Sequence, residues 1–154
     1  MLFYFAYGSN MSASQMADRC PGARALGAAW LPDFALAFTR YSPRREGGVA
    51  DIRPHRRKAA HGVLWEVTED HLASLDRYEG VASGAYRRIE VAVAQGTGPP
   101  EAPALTYQVV EPRPDHVPPA AEYMATLIEG ACEHGLPDSY VARLRKLAPA
   151  TSGH

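Results

Sequence analysis

The sequence predicts an α+β protein with about six short strands and about four helices. Apolar runs of strand length alternate with amphipathic stretches of helical spacing, and Gly, Pro and Asn residues separate them. Hydrophobic residues make up 46% of the 154 residues, enough for a substantial core. The length favours one domain over residues 1–148, with residues 149–154 expected to form a disordered tail.

The first element is predicted to be a buried strand that runs into a tight turn. Residues 2–7 (LFYFAY) are apolar on both faces, as in a strand that is covered on both sides. Gly8, Ser9 and Asn10 end this strand. Asn10 or Ser12 is then expected to cap a short helix that ends near Cys20.

The next stretch predicts four short strands. Residues 28–31 and 34–38 have strand composition, and in the second of them alternate residues share an apolar face. Residues 49–52 follow a Gly-Gly pair, and residues 62–67 (GVLWEV) form the last strand of the group. Residues 42–61 are otherwise polar and basic, which predicts a solvated loop and hairpin.

Thr68 is expected to open a helix, because acidic residues in a first turn interact favourably with the helix dipole. The helix should run to about Glu79 and stop at Gly80. Residues 86–94 alternate as in a strand, residues 95–103 form a Gly/Pro loop, and residues 105–110 form a strand that pairs with 86–94.

The C-terminal third predicts two helices behind a proline-rich connector at residues 111–119. The first helix begins near Ala120, has apolar residues at i, i+4, i+7, i+8 and i+11, and is capped by Gly135. The second spans residues 138–147 and has its apolar residues on one side.

Composition excludes several classes of protein. The formal net charge of −1 gives no overall attraction to nucleic acid or to anionic membrane, so neither is an expected partner. No apolar run approaches the roughly 18 residues of a membrane-spanning helix, and the N-terminus lacks the basic region of a signal peptide. Cys20 and Cys132 are expected to be two buried thiols, which favours a cytoplasmic location.

Glu79 is the most informative single residue. At 100° per residue, Leu72, Leu75 and Glu79 lie on the same apolar face of the predicted helix. Burial, and a position at the negative end of the helix dipole, should both raise its pKa toward the range that general acid–base catalysis uses. The alternative is a side chain that swings into solvent beside Gly80. Asp76 lies at the rim of that face, as a partner of the site or as ordinary polar surface.

The turn after the first strand is a candidate anion site. Successive N–H groups at such a bend can hold a carboxylate or an oxyanion, and glycine lets a ligand approach closely. An ordinary Gly-Ser-Asn turn is the alternative. The segment is not a P-loop, since no Lys follows it.

Other candidate sites are weaker. The basic residues between Arg40 and Lys58 could form a nucleic-acid patch, but the acidic remainder of the chain argues against it and favours a solvated loop and hairpin. His55, His61 and His71 lack metal-ligand spacing, so no metal site is predicted. Cys20 and Cys132 have no evident base and are interpreted as packing residues.

Three blocks, in order, resemble the γ-glutamylcyclotransferases of the AIG2-like superfamily. They are the opening YFAYGSNM (residues 4–11), the segment LDRYEGV followed by SGAY (residues 75–86), and PPAAEY leading to EHGLP (residues 118–137). The similarity extends from residue 2 to about residue 148. The basic segment matches little beyond Gly47, Gly48, Val49 and Ala50.

This resemblance implies a small mixed β-barrel flanked by helices, and the conversion of γ-glutamyl amino acids to 5-oxoproline and the free amino acid. It assigns Glu79 as catalytic acid/base. It implies neither cofactor nor metal, a γ-glutamyl small molecule as substrate, a place in glutathione metabolism and a homodimer by analogy. The substrate-binding positions that it implies are Tyr4, Phe5, Ala6, Tyr7, Gly8, Ser9, Asn10, Tyr86 and Tyr123.

Two other functions remain open at this point. The same fold could act on γ-glutamyl amines such as an isopeptide, or it could be a non-catalytic barrel that binds an amino-acid-like ligand. Glutathione as sole substrate is less favoured by the Tyr-Gly-Ser-Asn opening.

Overall fold

The N-terminal strand lies at the centre of a five-stranded sheet. The computed structural model describes residues 1–149, and within them the strands run in the order β2-β3-β1-β5-β4. Neighbouring strands are antiparallel except β1 and β5, which are parallel. The strands are β1 (Leu2–Ala6), β2 (Arg24–Ser42), β3 (Gly47–Val67), β4 (Tyr86–Val93) and β5 (Ala102–Val109).

The structure has five strands where about six were expected, because two predicted breaks do not occur and the seven strand segments named above merge into five. Residues 28–31 and 34–38 belong to one strand, β2, and β3 joins 49–52 to 62–67 through the polar segment between them. Backbone pairing with β2 covers both ends of that segment, but it shifts register between Pro32 opposite Ala59 and Phe34 opposite Pro54, so residues 55–58 lie opposite no β2 partner. Strand pairing depends on backbone hydrogen-bond partners more than on apolar side chains, so the polar residues of this segment did not end the strand.

The expected barrel is better described as a curved sheet that does not close. Its edge strands, β2 and β4, meet at one bridge, where Trp30 and Ala94 exchange two N–H···O bonds of 2.9 Å. Along the rest of their described length these edges do not pair with each other. The α+β class predicted from the sequence is confirmed.

Four α-helices accompany the sheet, as expected. A 3₁₀ turn (Ser9–Met11) leads into α1, whose N-cap Ser12 accepts a hydrogen bond from the Gln15 N–H. Thr68 caps α2 in a capping box with His71, and Glu79 and Gly80 (φ 62°) end that helix. The helices are α1 (Ala13–Arg19), α2 (Glu69–Tyr78), α3 (Ala121–Glu133) and α4 (Asp138–Leu147).

The cysteines differ from the expectation of two buried thiols. Cys20 is buried, and burial raises its pKa to about 11. Cys132 is exposed, because it lies on the outer side of α3. Of the predicted tail, residues 150–154 lie outside the described part of the chain. Among the described residues, no helix is long and apolar enough to span a membrane.

Gly130 lets α3 lie directly against the turn that follows β1. A Cβ atom at this position would come within 2.4 Å of the Met11 carbonyl carbon and 2.6 Å of the Ser12 nitrogen. Both are backbone atoms, so the helix itself would have to move. The glycine therefore fixes the distance between α3 and the turn at residues 8–11.

We expect Gly130→Ala to destabilise the protein by about 1–3 kcal/mol, the usual cost of overpacking. Thermal unfolding measures the effect. Glu129→Ala is the matched control, because Glu129 is the exposed neighbour in the same helix, and it should shift stability by about 0.5 kcal/mol or less. Equal unfolding temperatures for the two variants would show that the close approach has no energetic consequence.

Candidate active site

A cavity of about 250 Å³ lies where the turn after β1, the end of α2 and the β2–β3 turn converge. It combines tyrosine side chains, several arginines and one glutamate. The lining residues are Tyr4, Tyr7, Gly8, Ser9, Asn10, Arg19, Arg40, Ser42, Arg44, Arg45, Val49, Ala50, Tyr78, Glu79, Gly80, Ser83, Ala85, Tyr86, Tyr107 and Tyr123.

Glu79 enters this cavity from the C-terminal end of α2. Leu72 and Leu75 are buried and fix the face that the helix turns inward, and Glu79 follows on that face. Burial raises the pKa of Glu79 to about 7, while the positive charges of Arg19 and Arg45 act in the opposite direction. The side chain keeps partial exposure because it lines the cavity. A carboxyl group with this pKa can both accept and donate a proton near neutral pH.

The predicted bend forms another part of the wall of the cavity that Glu79 lines. Two side chains approach the Gly8 backbone closely: a Cβ atom at Gly8 would lie 3.2 Å from the Ala50 Cβ and 3.4 Å from the Tyr123 hydroxyl oxygen. The N–H groups of Gly8 and Ser9 donate no hydrogen bond within residues 1–149. They are therefore available to an anionic ligand.

The tyrosines are held by hydrogen bonds to the protein. The Tyr86 hydroxyl donates to the Ala50 carbonyl at 2.8 Å, and the Tyr123 hydroxyl accepts from the Ala50 N–H at 2.9 Å. The Tyr4 hydroxyl accepts from the Asn10 amide at 3.0 Å. Burial raises the pKa of Tyr123 to about 12 and raises that of Tyr4 and Tyr86 as well. These side chains are thus neutral hydroxyls at physiological pH.

Two of the predicted substrate-binding residues do not line the cavity. Phe5 and Ala6 have no exposed surface, and both belong to the hydrophobic core. The Phe5 side chain faces away from Tyr4 because successive strand residues point to opposite faces. The Phe5 carbonyl accepts a hydrogen bond from the Thr106 hydroxyl at 2.7 Å. The other predicted positions, Tyr4, Tyr7, Gly8, Ser9, Asn10, Tyr86 and Tyr123, all line the cavity.

Residues 40–58 include a partly exposed hairpin turn, as expected, but the first part of the segment also borders the cavity. Arg40, Arg44 and Arg45 line the cavity, since the β2–β3 hairpin turns back at that point. Arg56 and Lys58, farther along β3, are exposed as expected. The sequence analysis also missed Arg19, whose guanidinium lies 4.3 Å above the Tyr78 ring.

Gln15 organises the polar wall, and nothing in the sequence had singled it out. Its amide nitrogen donates to the Ser9 hydroxyl at 2.7 Å and to the Asn10 side-chain oxygen at 2.8 Å. Its oxygen accepts from Arg45 Nη2 at 2.8 Å. One short helix, α1, therefore ties the bend to the β2–β3 turn.

Asp76 is a partner of the site and not merely polar surface. It accepts two hydrogen bonds from Arg88, at 2.8 and 2.6 Å, and one from the Tyr107 hydroxyl at 2.7 Å. Burial raises the pKa of Asp76, but the hydrogen bonds from Arg88 and Tyr107 outweigh it and the net shift is downward. Tyr107 lines the cavity, so this cluster supports the wall near the end of α2.

The structure groups no three His, Cys, Asp or Glu side chains as a metal site within residues 1–149. The functional groups that the described residues bring to the cavity are one carboxyl group, free backbone N–H groups, neutral hydroxyls and guanidinium groups. Together these can move a proton and stabilise negative charge.

Comparison with known proteins gives one consistent picture. The AIG2-like family matches residues 59–144. A gamma-glutamylcyclotransferase of Bos taurus is 37% identical over 150 residues, which cover 95% of this chain and 78% of that protein. The Homo sapiens gamma-glutamylcyclotransferase is 36% identical over the same shares of the two chains. A solved gamma-glutamyl cyclotransferase structure superimposes with a TM-score of 0.90 at 34% identity, covering 99% of this chain and 91% of that one.

Proposed function

This chain belongs to the gamma-glutamylcyclotransferase family and is an enzyme of that type, and we propose that it converts γ-glutamyl amino acids to 5-oxoproline and the free amino acid with Glu79 as acid/base. One observation carries the assignment of the residues. Glu79, with a pKa of about 7, lines the same cavity as the unpaired N–H groups of Gly8 and Ser9.

The reaction is an intramolecular aminolysis. The α-amine of the γ-glutamyl group attacks its own γ-carbonyl carbon, the new C–N bond closes the lactam ring, and the bond to the leaving nitrogen breaks. Nucleophile and electrophile are already in one molecule, so the protein has little translational entropy to overcome. It must chiefly hold the reactive conformation and move two protons from the attacking nitrogen, which changes from an ammonium group to a lactam N–H.

Glu79 is suited to both proton transfers. Its carboxylate takes a proton from the α-ammonium group, which frees the amine to attack. The resulting carboxylic acid gives that proton to the leaving nitrogen as its bond to the γ-carbonyl carbon breaks. The regenerated carboxylate takes the second proton from the ring nitrogen, which becomes the lactam N–H, and passes it to the amine of the departing amino acid. A pKa near 7 balances the two roles, since the group must be a base in the first transfer and an acid in the second.

The Gly8-Ser9 bend supplies the complementary electrostatic contribution. Its free N–H groups can hold the α-carboxylate of the substrate or the oxyanion that develops on the γ-carbonyl oxygen. Tyr4, Tyr86 and Tyr123 close the walls with neutral groups, which lowers the local dielectric and strengthens those contacts. Incubation with γ-glutamyl-alanine and detection of 5-oxoproline tests the assignment.

The pH dependence of turnover is a direct consequence of the shifted carboxyl. Glu79 must be ionised to act as base, so kcat/KM should fall about tenfold per pH unit below a midpoint near pH 7. Initial rates with γ-glutamyl-alanine between pH 5 and pH 9 measure this midpoint. A flat profile down to pH 5, as expected if the carboxyl kept the ordinary glutamate pKa of about 4.3, would contradict the role of Glu79.

We also propose a cytoplasmic location and a homodimer, and a place in glutathione metabolism as a 5-oxoproline-forming step. Both cysteines are free thiols, which supports a reducing compartment. The net charge of −1 supports a small-molecule partner over nucleic acid.

A further inference from the structure

The cavity carries more positive charge than the proposed acid–base chemistry needs. Four arginines line it, and Glu79 is its one carboxylate among the described lining residues. Within residues 1–149, ion pairs with a carboxylate within 4 Å are formed by Arg53 with Asp51 and by Arg88 with Asp76. None of the cavity arginines has such a partner. They are Arg19, Arg40, Arg44 and Arg45.

Arg45 is held in place but keeps donors free. Its Nη2 donates to Gln15 at 2.8 Å and to the Ser9 hydroxyl at 3.3 Å, and its guanidinium lies 5.3 Å above the Tyr123 ring. Its Nε and Nη1 make no hydrogen bond within the described residues. A positioned guanidinium with an open donor edge fits a carboxylate in a two-point contact.

The charges of the substrate show which carboxylate is unmatched. In any γ-glutamyl compound the α-ammonium and α-carboxylate groups cancel, and the Gly8-Ser9 bend already offers an anion site. A leaving amino acid adds a second carboxylate and thus a net negative charge, whereas a simple leaving amine adds none. The surplus of cavity arginines matches the amino acid form.

The position of Arg45 also favours a leaving amino acid over a simple leaving amine. The leaving nitrogen receives its proton from Glu79, and in an α-amino acid the carboxyl carbon is two bonds from that nitrogen. Arg45 lies close enough to act on the charge of Glu79. It also belongs to the partly exposed turn at residues 43–46 that joins β2 to β3.

We propose that Arg45 is a specificity-determining residue that binds the carboxylate of the leaving amino acid, so that this enzyme selects γ-glutamyl amino acids over γ-glutamyl amines. This inference rests on the proposed function. It assigns the β2–β3 turn, which lies outside the residues 59–144 that the AIG2-like family matches, to recognition of the leaving group.

Two substrates that differ in one carboxylate test the proposal. γ-Glutamyl-alanine and γ-glutamyl-ethylamine share the γ-glutamyl group and the leaving nitrogen, and only the first has the second carboxylate. Wild-type enzyme should prefer γ-glutamyl-alanine. In Arg45→Gln the ratio of the two kcat/KM values should fall about 10- to 100-fold, the loss expected for a charge-assisted hydrogen bond, mainly through KM for γ-glutamyl-alanine.

The control is Arg56→Gln, an exposed arginine farther along β3 that should leave the ratio unchanged. The ratio is taken within one preparation, so partial misfolding of a variant cancels. An equal loss on both substrates, or an unchanged ratio, would overturn the role of Arg45. If Arg45→Gln does not fold, the wild-type preference decides: equal rates on both substrates refute the inference while the cyclotransferase assignment stands. If wild-type enzyme forms 5-oxoproline from neither substrate, the proposed function itself is refuted.

Discussion

Glu79→Gln is expected to lower kcat for 5-oxoproline release by about 10²- to 10⁴-fold, the range that a positioned general acid–base contributes. Glutamine keeps the shape of the side chain but can neither take the proton from the α-ammonium group nor return one to the leaving nitrogen. Initial rates with γ-glutamyl-alanine, compared with wild-type enzyme at pH 8, measure the loss.

The same variant should fold at least as well as the wild type. The folded-state pKa of Glu79 is about 7, above its unfolded value, so the ionised carboxylate opposes folding above that pH and has no such effect below the unfolded pKa. Glutamine has no charge to bury, and its unfolding temperature at pH 8 should match or exceed that of the wild type. Lost activity together with lost stability would point to a structural role instead.

Glu69→Gln is the matched control, because Glu69 is an exposed residue in the first turn of the same helix. It should retain nearly full activity. Equal activity of the two variants would show that the acid/base is another group.

The position of Glu79 could be predicted because it depends on one helix alone. Helical periodicity placed Leu72, Leu75 and Glu79 on a common face, and the buried leucines turn that face inward in the structure. Thr68 and Gly80, which begin and end the helix, were identified by their local chemistry. Local rules therefore suffice for a residue whose environment is set by its own element.

The convergence of four arginines on the cavity could not be predicted in this way. Arg45 contacts Gln15, a residue thirty positions away along the chain, and does so only because the β2–β3 hairpin turns back over α1. Charge density in residues 40–58 is the same whether the hairpin meets solvent or a cavity. Sequence composition thus describes the arginines correctly but cannot say which of them converge.

Strand β1 shows a further limit of the sequence pattern. Its apolar residues correctly predict a buried strand, and the structure places it at the centre of the sheet, with a register to β3 that runs from Leu2 opposite Val67 to Ala6 opposite Val63. The pattern does not show that β3 and β5 both continue past Ala6. Past Ala6, β1 no longer lies between β3 and β5, so side chains must connect these two strands. The Asp51 carboxylate of β3 does so by accepting a hydrogen bond from the Val109 N–H of β5.

Asp51→Ala is expected to destabilise the protein by about 3–5 kcal/mol, because it leaves several buried hydrogen-bond donors without an acceptor. Asp51 is fully buried in β3. Its Oδ1 accepts from the N–H groups of Ile52 at 2.8 Å and Val109 at 2.9 Å, and its Oδ2 accepts from the Thr39 hydroxyl at 2.8 Å. Thermal unfolding should show a midpoint lower by roughly 10 °C for a chain of this size.

The ion pair with Arg53 contributes little to this loss, since the guanidinium is partly solvated and can turn to water when the carboxylate is removed. The backbone N–H of Val109 cannot bond to water in the same way, because that residue is buried in β5. Asp18→Ala, at an exposed position on α1, is the control and should shift stability by about 0.5 kcal/mol or less. An Asp51→Ala midpoint equal to that of the control would mean that other groups already satisfy these donors. If the midpoint falls as expected, Ala50 and the Tyr86 and Tyr123 hydroxyls bound to it lose their fixed position, so that activity should decline below the unfolding temperature as well.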